Sequence, residues 1–465
     1  MSTSLEFDPL LLRRYDQPGP RYTSYPSSLQ FSPAFADAAY RQHAALSNEE
    51  PIPRDLSLYV HVPFCFSPCF YCGCNRVITR DASRGVVYAQ RLVREAELTA
   101  SLFDRGRDVV QVHFGGGTPN FLDAPTLAEL LESLGRYFHF VNSADRDFSI
   151  ELDPRTVRPG DIAAYAAMGF NRASLGVQDF DQAVQIAINR EQSVAGTLQV
   201  IDDCRAAGFR SVNVDLIYGL PRQTLAGFGA TLDTVLCARP DRLAIYGYAH
   251  MPRMFKAQRK IVDSELPNAF ERLALLQLAI ERLTAAGYRY IGLDHFALPE
   301  DDLAVALEAG GLHRNFMGYT THADCDLIGL GVSAISHIGD SYSQNFRDLP
   351  AWEHAVDQGR LPVYRGLALD ADDVLRADVI QQLMCRGEID CRQISNRHHI
   401  DFDLYFADAL ARLAPLVADG LAKVAPGRVM ATSRGRLLLR MIAMCFDRYL
   451  PDARAHEQPR HSRVL

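Results

Sequence analysis

The sequence predicts an α/β fold of parallel βαβ units, extended by a smaller and mostly helical segment. Between residues 56 and 250, six strand-like apolar runs alternate with helical patterns. Six consecutive units of this kind are typical of a barrel or a doubly wound sheet. Each run is followed by polar or glycine-rich residues, and parallel α/β folds place their active sites at these carboxyl ends. We therefore expect a single site at one edge of the sheet.

The hydrophobic periodicity predicts the limits of each element. The predicted strands are 56–62, 109–114, 148–152, 173–177, 212–217 and 243–246, and the helices between them lie near 85–104, 125–138, 159–168, 193–207 and 223–237. A helix at 267–286, a strand at 288–293 and a loop at 314–321 are expected next. Helical patterns at 374–384, 404–417 and 437–449 follow, with a hairpin-like stretch at 422–430.

The first 55 residues have weak periodicity. Pro18, Pro20 and Pro26 exclude a helix around them, because proline fixes extended or turn geometry. The aromatic and cationic side chains of the same stretch favour a segment that lies across a protein surface. We predict an N-terminal extension over the active site at 1–55, a catalytic domain at 56–364 and a mostly helical C-terminal domain at 365–465.

The composition is that of an ordinary globular protein, with 48% hydrophobic and 22% charged residues. The net charge of −8 gives no reason to expect nucleic acid as a ligand, and a polyanionic substrate would need a locally basic pocket. No apolar run reaches the length of a membrane span, and the amino terminus lacks a secretory pattern. We expect a cytoplasmic protein, where clustered cysteines indicate metal or redox chemistry rather than disulfides.

Four of the ten cysteines lie within ten residues, at the end of the first predicted strand. Cys65, Cys69, Cys72 and Cys74 have the spacing Cys-x3-Cys-x2-Cys-x-Cys. A structural zinc site usually has a second pair of cysteines elsewhere, and a redox dithiol needs only two thiols. Three thiolates on a short loop suit an iron–sulfur cluster. The spacing therefore favours an iron–sulfur cluster over a zinc site and over a redox dithiol.

The same residues resemble the radical S-adenosylmethionine enzymes, which combine this cysteine spacing with a glycine-rich second strand end, here 115–119. The further Cys74-Asn75 pair is similar to the oxygen-independent coproporphyrinogen III oxidase (dehydrogenase) family. Other matching segments are 18–26, 149–154, 176–180, 189–192, 248–252, 314–321 and 331–336. The resemblance extends from about residue 15 to the end. It implies a partial (β/α)6 radical SAM barrel with an N-terminal extension and a smaller, mostly helical C-terminal domain.

The resemblance also implies the cofactors and their residues. It implies one 4Fe–4S cluster with one iron not bound by cysteine, and two S-adenosylmethionine molecules. The cluster ligands would be Cys65, Cys69 and Cys72. The first S-adenosylmethionine would contact Tyr59, Tyr71, Gly116, Glu151 and Ile335. The second would contact Gly117, Thr118, Gln178, Arg190, Asp215 and Ala249. The catalytic or substrate-binding candidates are Cys74, Arg21 and Arg314.

The implied reaction is the oxidative decarboxylation of two propionate side chains of coproporphyrinogen III. A 5′-deoxyadenosyl radical would remove a hydrogen from each side chain, and loss of carbon dioxide and one electron would leave a vinyl group. The product would be protoporphyrinogen IX, a step of haem biosynthesis. The implied partners are the tetrapyrrole, an unidentified reductant and an unidentified electron acceptor, and nothing requires more than a monomer. The alternative is a haem-binding or haem-delivery protein on the same fold.

Overall fold

The computed structural model describes residues 5–143, 146–323, 325–450 and 463–464, and the chain divides into two compact units. The barrel unit comprises Gln30–Pro267 and Asp324–Ala368. The helical unit comprises Met1–Leu29, Asn268–Ala323 and Leu369–Leu465. Each unit is assembled from separate stretches, whereas the predicted domains at 1–55, 56–364 and 365–465 divide the chain along its length. Those limits stay a prediction about functional domains.

The ends of the six predicted barrel strands differ from the observed ends by at most two residues. In chain order the strands are β1 (Asp55–Val62), β2 (Phe64–Cys65), β3 (Val77–Ile78), β4 (Asp108–Gly116), β5 (His139–Phe140), β6 (Asp147–Leu152), β7 (Arg172–Gln178), β8 (Ser211–Tyr218), β9 (Arg242–Gly247), β10 (Arg289–Gly292), β11 (His295–Ala297), β12 (His313–Asn315), β13 (Gly318–Thr320), β14 (Cys325–Leu330), β15 (Ile335–Ile338), β16 (Ser341–Asn345), β17 (Val363–Ala368), β18 (Glu388–Asp390), β19 (Ala422–Ala425) and β20 (Arg428–Ala431). All six predicted barrel strands are confirmed.

Most predicted helices are present, but the one predicted at 404–417 is divided into two helices and the one predicted at 437–449 is shortened to Leu439–Met444. In chain order the α-helices are α1 (Pro9–Tyr15), α2 (Asp37–Asn48), α3 (Ser83–Ala100), α4 (Ala124–Tyr137), α5 (Asp161–Met168), α6 (Gln182–Ala187), α7 (Val194–Ala206), α8 (Leu225–Ala238), α9 (Ala269–Ala285), α10 (Asp302–Ala309), α11 (Leu349–Asp357), α12 (Ala371–Arg386), α13 (Cys391–His398), α14 (Phe402–Tyr405), α15 (Ala407–Ala418) and α16 (Leu439–Met444). In the part of the chain that the structure describes, none of the helices is long and apolar enough to cross a bilayer.

The barrel unit contains six parallel strands that are neighbours in chain order, β1, β4, β6, β7, β8 and β9. Helices α3, α4, α5, α7 and α8 lie between these strands along the chain. The alternate residues Leu56, Leu58, Val60 and Val62 of β1 are at most 2% exposed, as expected of a strand buried between layers. This arrangement is the expected partial (β/α)6 barrel.

The sheet of the barrel unit continues beyond β1, which the sequence did not indicate. Strand β14 pairs in parallel with β1, and β15, β16 and β17 follow as an antiparallel extension. Asp326 of β14 is held by the buried side chain of Arg107, whose Nη2 donates a hydrogen bond of 2.6 Å. Strand β14 returns after more than 200 residues, so no local periodicity reveals its partner.

The helical unit contains a hairpin where a loop was expected. Strands β12 and β13 pair antiparallel, with Arg314 opposite Tyr319. The turn is closed because Asn315 Oδ1 accepts a hydrogen bond of 2.9 Å from the amide of Met317. Gly318 adopts φ 115°, which an L-residue rarely does. The loop prediction for 314–321 was therefore wrong, because the turn residues were read without their strands.

The proline-rich segment lies against the protein surface, as the sequence predicted. Tyr22 and Tyr25 are only 4% and 3% exposed. The Tyr22 hydroxyl donates to Asp447 at 3.0 Å, and the amide of Arg448 donates to the Tyr25 hydroxyl at 3.1 Å. The buried rings and hydrogen bonds of these two tyrosines hold the segment in place without a helix.

A buried carboxylate joins α3 to the sheet extension. Glu95 is 1% exposed, and its Oε2 accepts hydrogen bonds from the Gly331 amide at 2.8 Å and from Trp352 Nε1 at 3.1 Å. Its Oε1 accepts from Asn345 Nδ2 at 2.6 Å. Burial raises the pKa of Glu95 to about 8. Ionisation of this side chain in the folded protein is therefore costly despite its three donors.

We expect the emission of Trp352, the single tryptophan of the chain, to change with pH around the Glu95 pKa of about 8. Because the folded pKa lies above the unfolded value, Glu95 contributes stability that is present at low pH. This stability is lost as the pH rises through the window between the two pKa values. Fluorescence and thermal unfolding of wild type and Glu95→Gln measure both effects. A variant that retains the same pH-dependent emission would contradict the assignment.

Candidate active site

The cysteine loop leaves the carboxyl end of β1 and is closed by a pair of two-residue strands. Cys65 lies in β2, which pairs in parallel with β3. The amide of Thr79 donates to the Cys65 carbonyl at 3.0 Å, and the amide of Val77 donates to the Pro63 carbonyl at 2.8 Å. Residues 66–76 are therefore held at both ends, and the loop is positioned by the strand that precedes it.

Hydrogen-bond donors from different elements approach each of the first three cysteine sulfurs. Thr118 Oγ1 donates to Cys65 Sγ at 3.3 Å. Arg190 Nη1 lies 3.4 Å from Cys69 Sγ. The amide of Cys74 lies 3.4 Å from Cys72 Sγ. Donors of this kind stabilise negative charge on sulfur, as thiolate ligands of an iron–sulfur cluster require.

Cys74 differs from the other three cysteines of the loop. Its side chain is exposed, whereas Cys69 is buried and Cys65 and Cys72 are partly buried. A hydrogen bond from the Cys74 thiol, aided by the charge of Arg76, lowers the pKa of Cys72 to about 6 against the opposing effect of burial. In the protein without a cluster, Cys74 therefore favours the thiolate form of Cys72.

The outer side of the loop rests on an apolar surface. Phe70 and Tyr71 pack against a buried cluster formed by Val184, Ile188, Ile217, Leu220, Tyr248 and Ile261. Gln258 Nε2 donates to the Tyr71 carbonyl at 2.8 Å and to the Ala249 carbonyl at 3.1 Å. This amide joins the cysteine loop to the segment after β9. It places Tyr71 and Ala249, two predicted cofactor-binding residues, on either side of one side chain.

The glycines at the end of β4 are required by close packing. Gly116 has φ 115°, and a Cβ there would lie 2.5 Å from the His61 ring. A Cβ on Gly117 would lie 2.6 Å from the Pro63 carbonyl oxygen, and the Gly117 amide donates to the Val62 carbonyl at 2.8 Å. Side chains at either position would separate β1 from β4.

Glu151 of β6 lies against this glycine turn. Its Oε2 accepts from the Gly116 amide at 3.0 Å, and its Oε1 lies 3.3 Å from His113 Nε2. Removal from water by itself would raise the pKa of Glu151, but the hydrogen bond and charge of His113 hold it below its usual value. Glu151 is therefore an ionised acceptor, able to bind amino or hydroxyl groups of a ligand.

Tyr59 and Ile335 lie on neighbouring parts of the sheet. Tyr59 is opposite Gly329 of β14, and a Cβ on Gly329 would lie 2.5 Å from the Ile335 carbonyl oxygen. The Tyr59 hydroxyl is hydrogen-bonded to His61 Nδ1 at 3.0 Å. His61 Nε2 is in turn 3.0 Å from the Asn75 carbonyl oxygen. These contacts connect β1 to the end of the cysteine loop.

An ion-pair network crosses the site behind Cys69. Arg190 bonds both oxygens of Asp153, at 3.2 and 3.3 Å, and also donates to the Gly176 carbonyl. Arg155 pairs with Asp153 at 2.7 Å and lies 3.8 Å from Cys69 Sγ. Burial opposes ionisation, but the two guanidinium groups keep the pKa of Asp153 below its usual value. Arg190 was predicted to bind a ligand carboxylate, and here it bonds a carboxylate of the protein and a cysteine sulfur.

Gln178 and Asp215 lie at the ends of β7 and β8. Gln178 has φ 70°, an unusual value for a residue other than glycine, and its side chain is buried. Asp215 accepts hydrogen bonds from Ser174 at 3.3 Å and from Asn213 at 2.7 Å. Burial, together with the charge of Glu151, raises the pKa of Asp215 to about 7. Asp215 therefore loses its proton at a higher pH than Glu151 does.

Arg21 and Arg314 belong to the helical unit. Arg21 forms an ion pair with Asp294, and Arg21 lines a cavity of about 240 Å³. Arg314 is 5% exposed and lies over the Tyr319 ring, with its guanidinium carbon 4.7 Å from the ring centre. Arg21 therefore already has an internal carboxylate partner.

Several residues of the site were not singled out by the sequence. Arg155, His61, His113 and Gln258 all contact predicted site residues. His61, His113 and Arg155 lie on or directly after strands whose carboxyl ends were expected to form the site, so their position was a usable signal. Gln258 lies in an irregular segment where periodicity offers no signal.

The donor set suits an iron–sulfur cluster. Cys65, Cys69 and Cys72 are all free thiols on one loop, and their sulfurs receive hydrogen bonds. Within the described residues, no three His, Cys, Asp or Glu side chains converge on one point as a single metal ion would require. A four-iron cluster binds each cysteine through a different iron, so its ligand sulfurs do not need to converge.

Two family models match the chain. The model described as Radical SAM superfamily matches residues 59–235, and the model described as HemN C-terminal domain matches residues 369–438. The oxygen-independent coproporphyrinogen III oxidase of Pseudomonas aeruginosa is 47% identical over 465 residues, covering 100% of both chains. The protein of the same name from Escherichia coli is 46% identical over 461 residues, covering 99% of each chain.

A solved structure matches at the same level. It is described as coproporphyrinogen III oxidase (HemN) from Escherichia coli, a radical SAM enzyme, and the two chains superpose with a TM-score of 0.91. They are 45% identical, and the match covers 96% of this chain and 100% of the other. The likeness therefore includes both compact units and the cysteine loop.

Proposed function

This chain belongs to the oxygen-independent coproporphyrinogen III oxidase family of radical SAM enzymes, and we propose that it decarboxylates coproporphyrinogen III to protoporphyrinogen IX. Two propionate side chains become vinyl groups, each with loss of carbon dioxide. The observation that carries this proposal is full-length identity of 47% and 46% to two proteins named for that activity. The intact cysteine loop, with a hydrogen-bond donor at each of three sulfurs, supports it.

The radical SAM family implies a 4Fe–4S cluster and S-adenosylmethionine, which together supply one-electron chemistry for removing hydrogen from unactivated carbon. We propose Cys65, Cys69 and Cys72 as the cluster ligands, which leaves one iron without a cysteine. Cys74 is excluded from this set because a fourth thiolate would block that iron. Thr118, Arg155 and Arg190 direct donors at the ligand sulfurs and so hold the loop in place.

We propose that the first S-adenosylmethionine binds beside Glu151, where the ionised carboxylate accepts hydrogen bonds. Tyr59, Tyr71, Gly116 and Ile335 would form the rest of that pocket. We propose a second molecule at the ends of β7, β8 and β9. Its contacts would come from Gly117, Thr118, Gln178, Arg190, Asp215 and Ala249. This second pocket contains a carboxyl group with a raised pKa, Asp215, and a guanidinium group, Arg190, that is ion-paired with Asp153.

The remaining partners follow from the reaction. It requires a reductant for the cluster and an electron acceptor, and we propose a cytoplasmic monomer that takes the tetrapyrrole as a free substrate. Arg21, Arg314 and Cys74 are the substrate or catalytic candidates. We retain 1–55, 56–364 and 365–465 as the proposed extension, catalytic and C-terminal domains. The alternative of a haem-binding or haem-delivery protein is not favoured, since the full-length relatives are named as oxidases.

The direct test is a single anaerobic assay. The reconstituted protein is incubated with a reductant, S-adenosylmethionine and coproporphyrinogen III. We expect protoporphyrin after oxidation of the product, together with 5′-deoxyadenosine and methionine. Release of 5′-deoxyadenosine without vinyl formation would contradict the substrate and leave the family assignment standing.

A further inference from the structure

Arg314 is a buried arginine, and two of its three guanidinium nitrogens lack an acceptor among the described residues. It is 5% exposed, and among the described residues neither Nε nor Nη1 has a hydrogen-bond partner. Burying N–H donors without acceptors is unfavourable, because their hydrogen bonds to water are lost and no others replace them. A buried group of this kind requires an explanation, and a ligand that accepts its hydrogen bonds is one.

The side chain is held in one place. Tyr319 lies under the guanidinium, and the Tyr319 hydroxyl donates to the Met384 carbonyl at 2.9 Å. Gln381 Nε2 donates to the Arg314 carbonyl at 3.2 Å and lies 2.7 Å from His313 Nδ1. Both the backbone and the charged end of Arg314 are therefore fixed before any ligand arrives, which lowers the entropy cost of binding.

A second buried arginine of the same unit, Arg440, has carbonyl acceptors for its guanidinium nitrogens. Arg440 is 2% exposed. It donates to the carbonyls of Pro20 at 2.9 Å, Arg463 at 2.8 Å and Val464 at 3.1 Å, and also to that of Gly19. The helical unit therefore does supply acceptors to a structural guanidinium, whereas Arg314 has two buried nitrogens without an acceptor among the described residues.

The hairpin of Arg314 borders an anion-compatible cavity. Phe316, at the tip of the hairpin, lines the cavity of about 240 Å³ that also contains Arg21. The hydroxyl residues Thr23, Ser24, Ser27 and Ser28 form further parts of its wall. A cation and several hydroxyl groups suit an oxygen anion such as a carboxylate. Arg21 is paired with Asp294, so the unshared positive charge near this hairpin is that of Arg314.

We propose that Arg314 binds one carboxylate of the substrate, and that the Phe316 side chain at the tip of the β12–β13 hairpin moves to admit it. The identification of that carboxylate as a propionate of the tetrapyrrole rests on the proposed function. Because Nε and Nη1 are buried, movement of Phe316 at the hairpin tip is part of binding. Arg21 binds the same carboxylate second, after its ion pair with Asp294 has opened.

The test uses Arg314→Met, which removes the charge and keeps contact with Tyr319, and the matched control Arg440→Met. Thermal unfolding is measured without ligand, and binding of oxidised coproporphyrin III is measured by fluorescence titration. We expect Arg314→Met to unfold at an unchanged or higher temperature than wild type, and Arg440→Met to unfold at a lower one. The Kd for coproporphyrin III should rise by about tenfold or more in Arg314→Met. Arg314→Lys, which keeps the charge, should recover part of this affinity.

A fall in unfolding temperature for Arg314→Met equal to that of Arg440→Met would show an internal role and overturn the inference. An unchanged Kd would overturn it as well. The anaerobic assay on wild type separates this inference from the proposed function. If wild type forms vinyl groups but the Kd for coproporphyrin III does not depend on Arg314, the proposed function stands and the carboxylate site is rejected. If coproporphyrin III binds through Arg314 but wild type forms no vinyl groups, the carboxylate site stands and the proposed function is rejected.

Discussion

Replacing Cys69 with serine is expected to abolish cluster assembly and reduce coproporphyrinogen III conversion to background. Cys69 is the most enclosed thiol of the loop, at 8% exposed, and its sulfur lies 3.4 Å from Arg190 and 3.8 Å from Arg155. Serine is a hard, un-ionised oxygen ligand that does not replace a thiolate on iron. Iron and sulfide content after anaerobic reconstitution measures the loss, and the visible absorbance of the protein confirms it.

The matched control is Cys74→Ser in the same loop. Cys74 is exposed, the substitution retains the backbone amide that contacts Cys72 Sγ, and a serine hydroxyl keeps a hydrogen-bond donor in place of the thiol. We expect the cluster content of this variant to equal that of wild type. If Cys74→Ser lost its iron as Cys69→Ser does, the separation of three ligands from one further cysteine would be wrong.

Replacing Arg107 with methionine is expected to destabilise the barrel unit by about 3–5 kcal/mol, since it leaves a buried carboxylate unpaired. The Arg107 and Asp326 side chains are 3% and 1% exposed. Arg107 also donates to Ser47 at 2.9 Å and to the Arg54 carbonyl at 2.8 Å. This pair fixes β14 beside β1. Chemical denaturation of the full chain measures the free energy of unfolding.

Two comparisons define this effect. Arg136 pairs with Glu132 on the surface, with side chains 66% and 70% exposed. Arg136→Met should therefore leave the free energy of unfolding nearly unchanged. The double variant Arg107→Met with Asp326→Leu should recover part of the lost stability, because no unpaired charge remains. An equal loss in the single and double variants would mean that packing, rather than charge, dominates at this position.

The barrel strands and the cysteine loop could be predicted because their signals are local. The apolar runs of β1, β4, β6, β7, β8 and β9 are each bounded by polar or glycine residues, and their limits differ from the predicted ones by one or two residues. The spacing of the cysteines favours an iron–sulfur cluster over zinc without any knowledge of the fold. The hairpin at 313–320 was missed because its strands have only three residues each.

The sequence by itself determined the order of the βα units, the edge at which the site forms and the residue types gathered there. Only the tertiary structure decided the partners of the charged side chains. It joins Arg190 to both Asp153 and Cys69, pairs Arg21 with Asp294, and leaves two donors of Arg314 without an acceptor among the described residues. Strand periodicity depends on near neighbours. The partner of a buried guanidinium depends on elements that are hundreds of residues apart in the chain, so only the packed fold determines it.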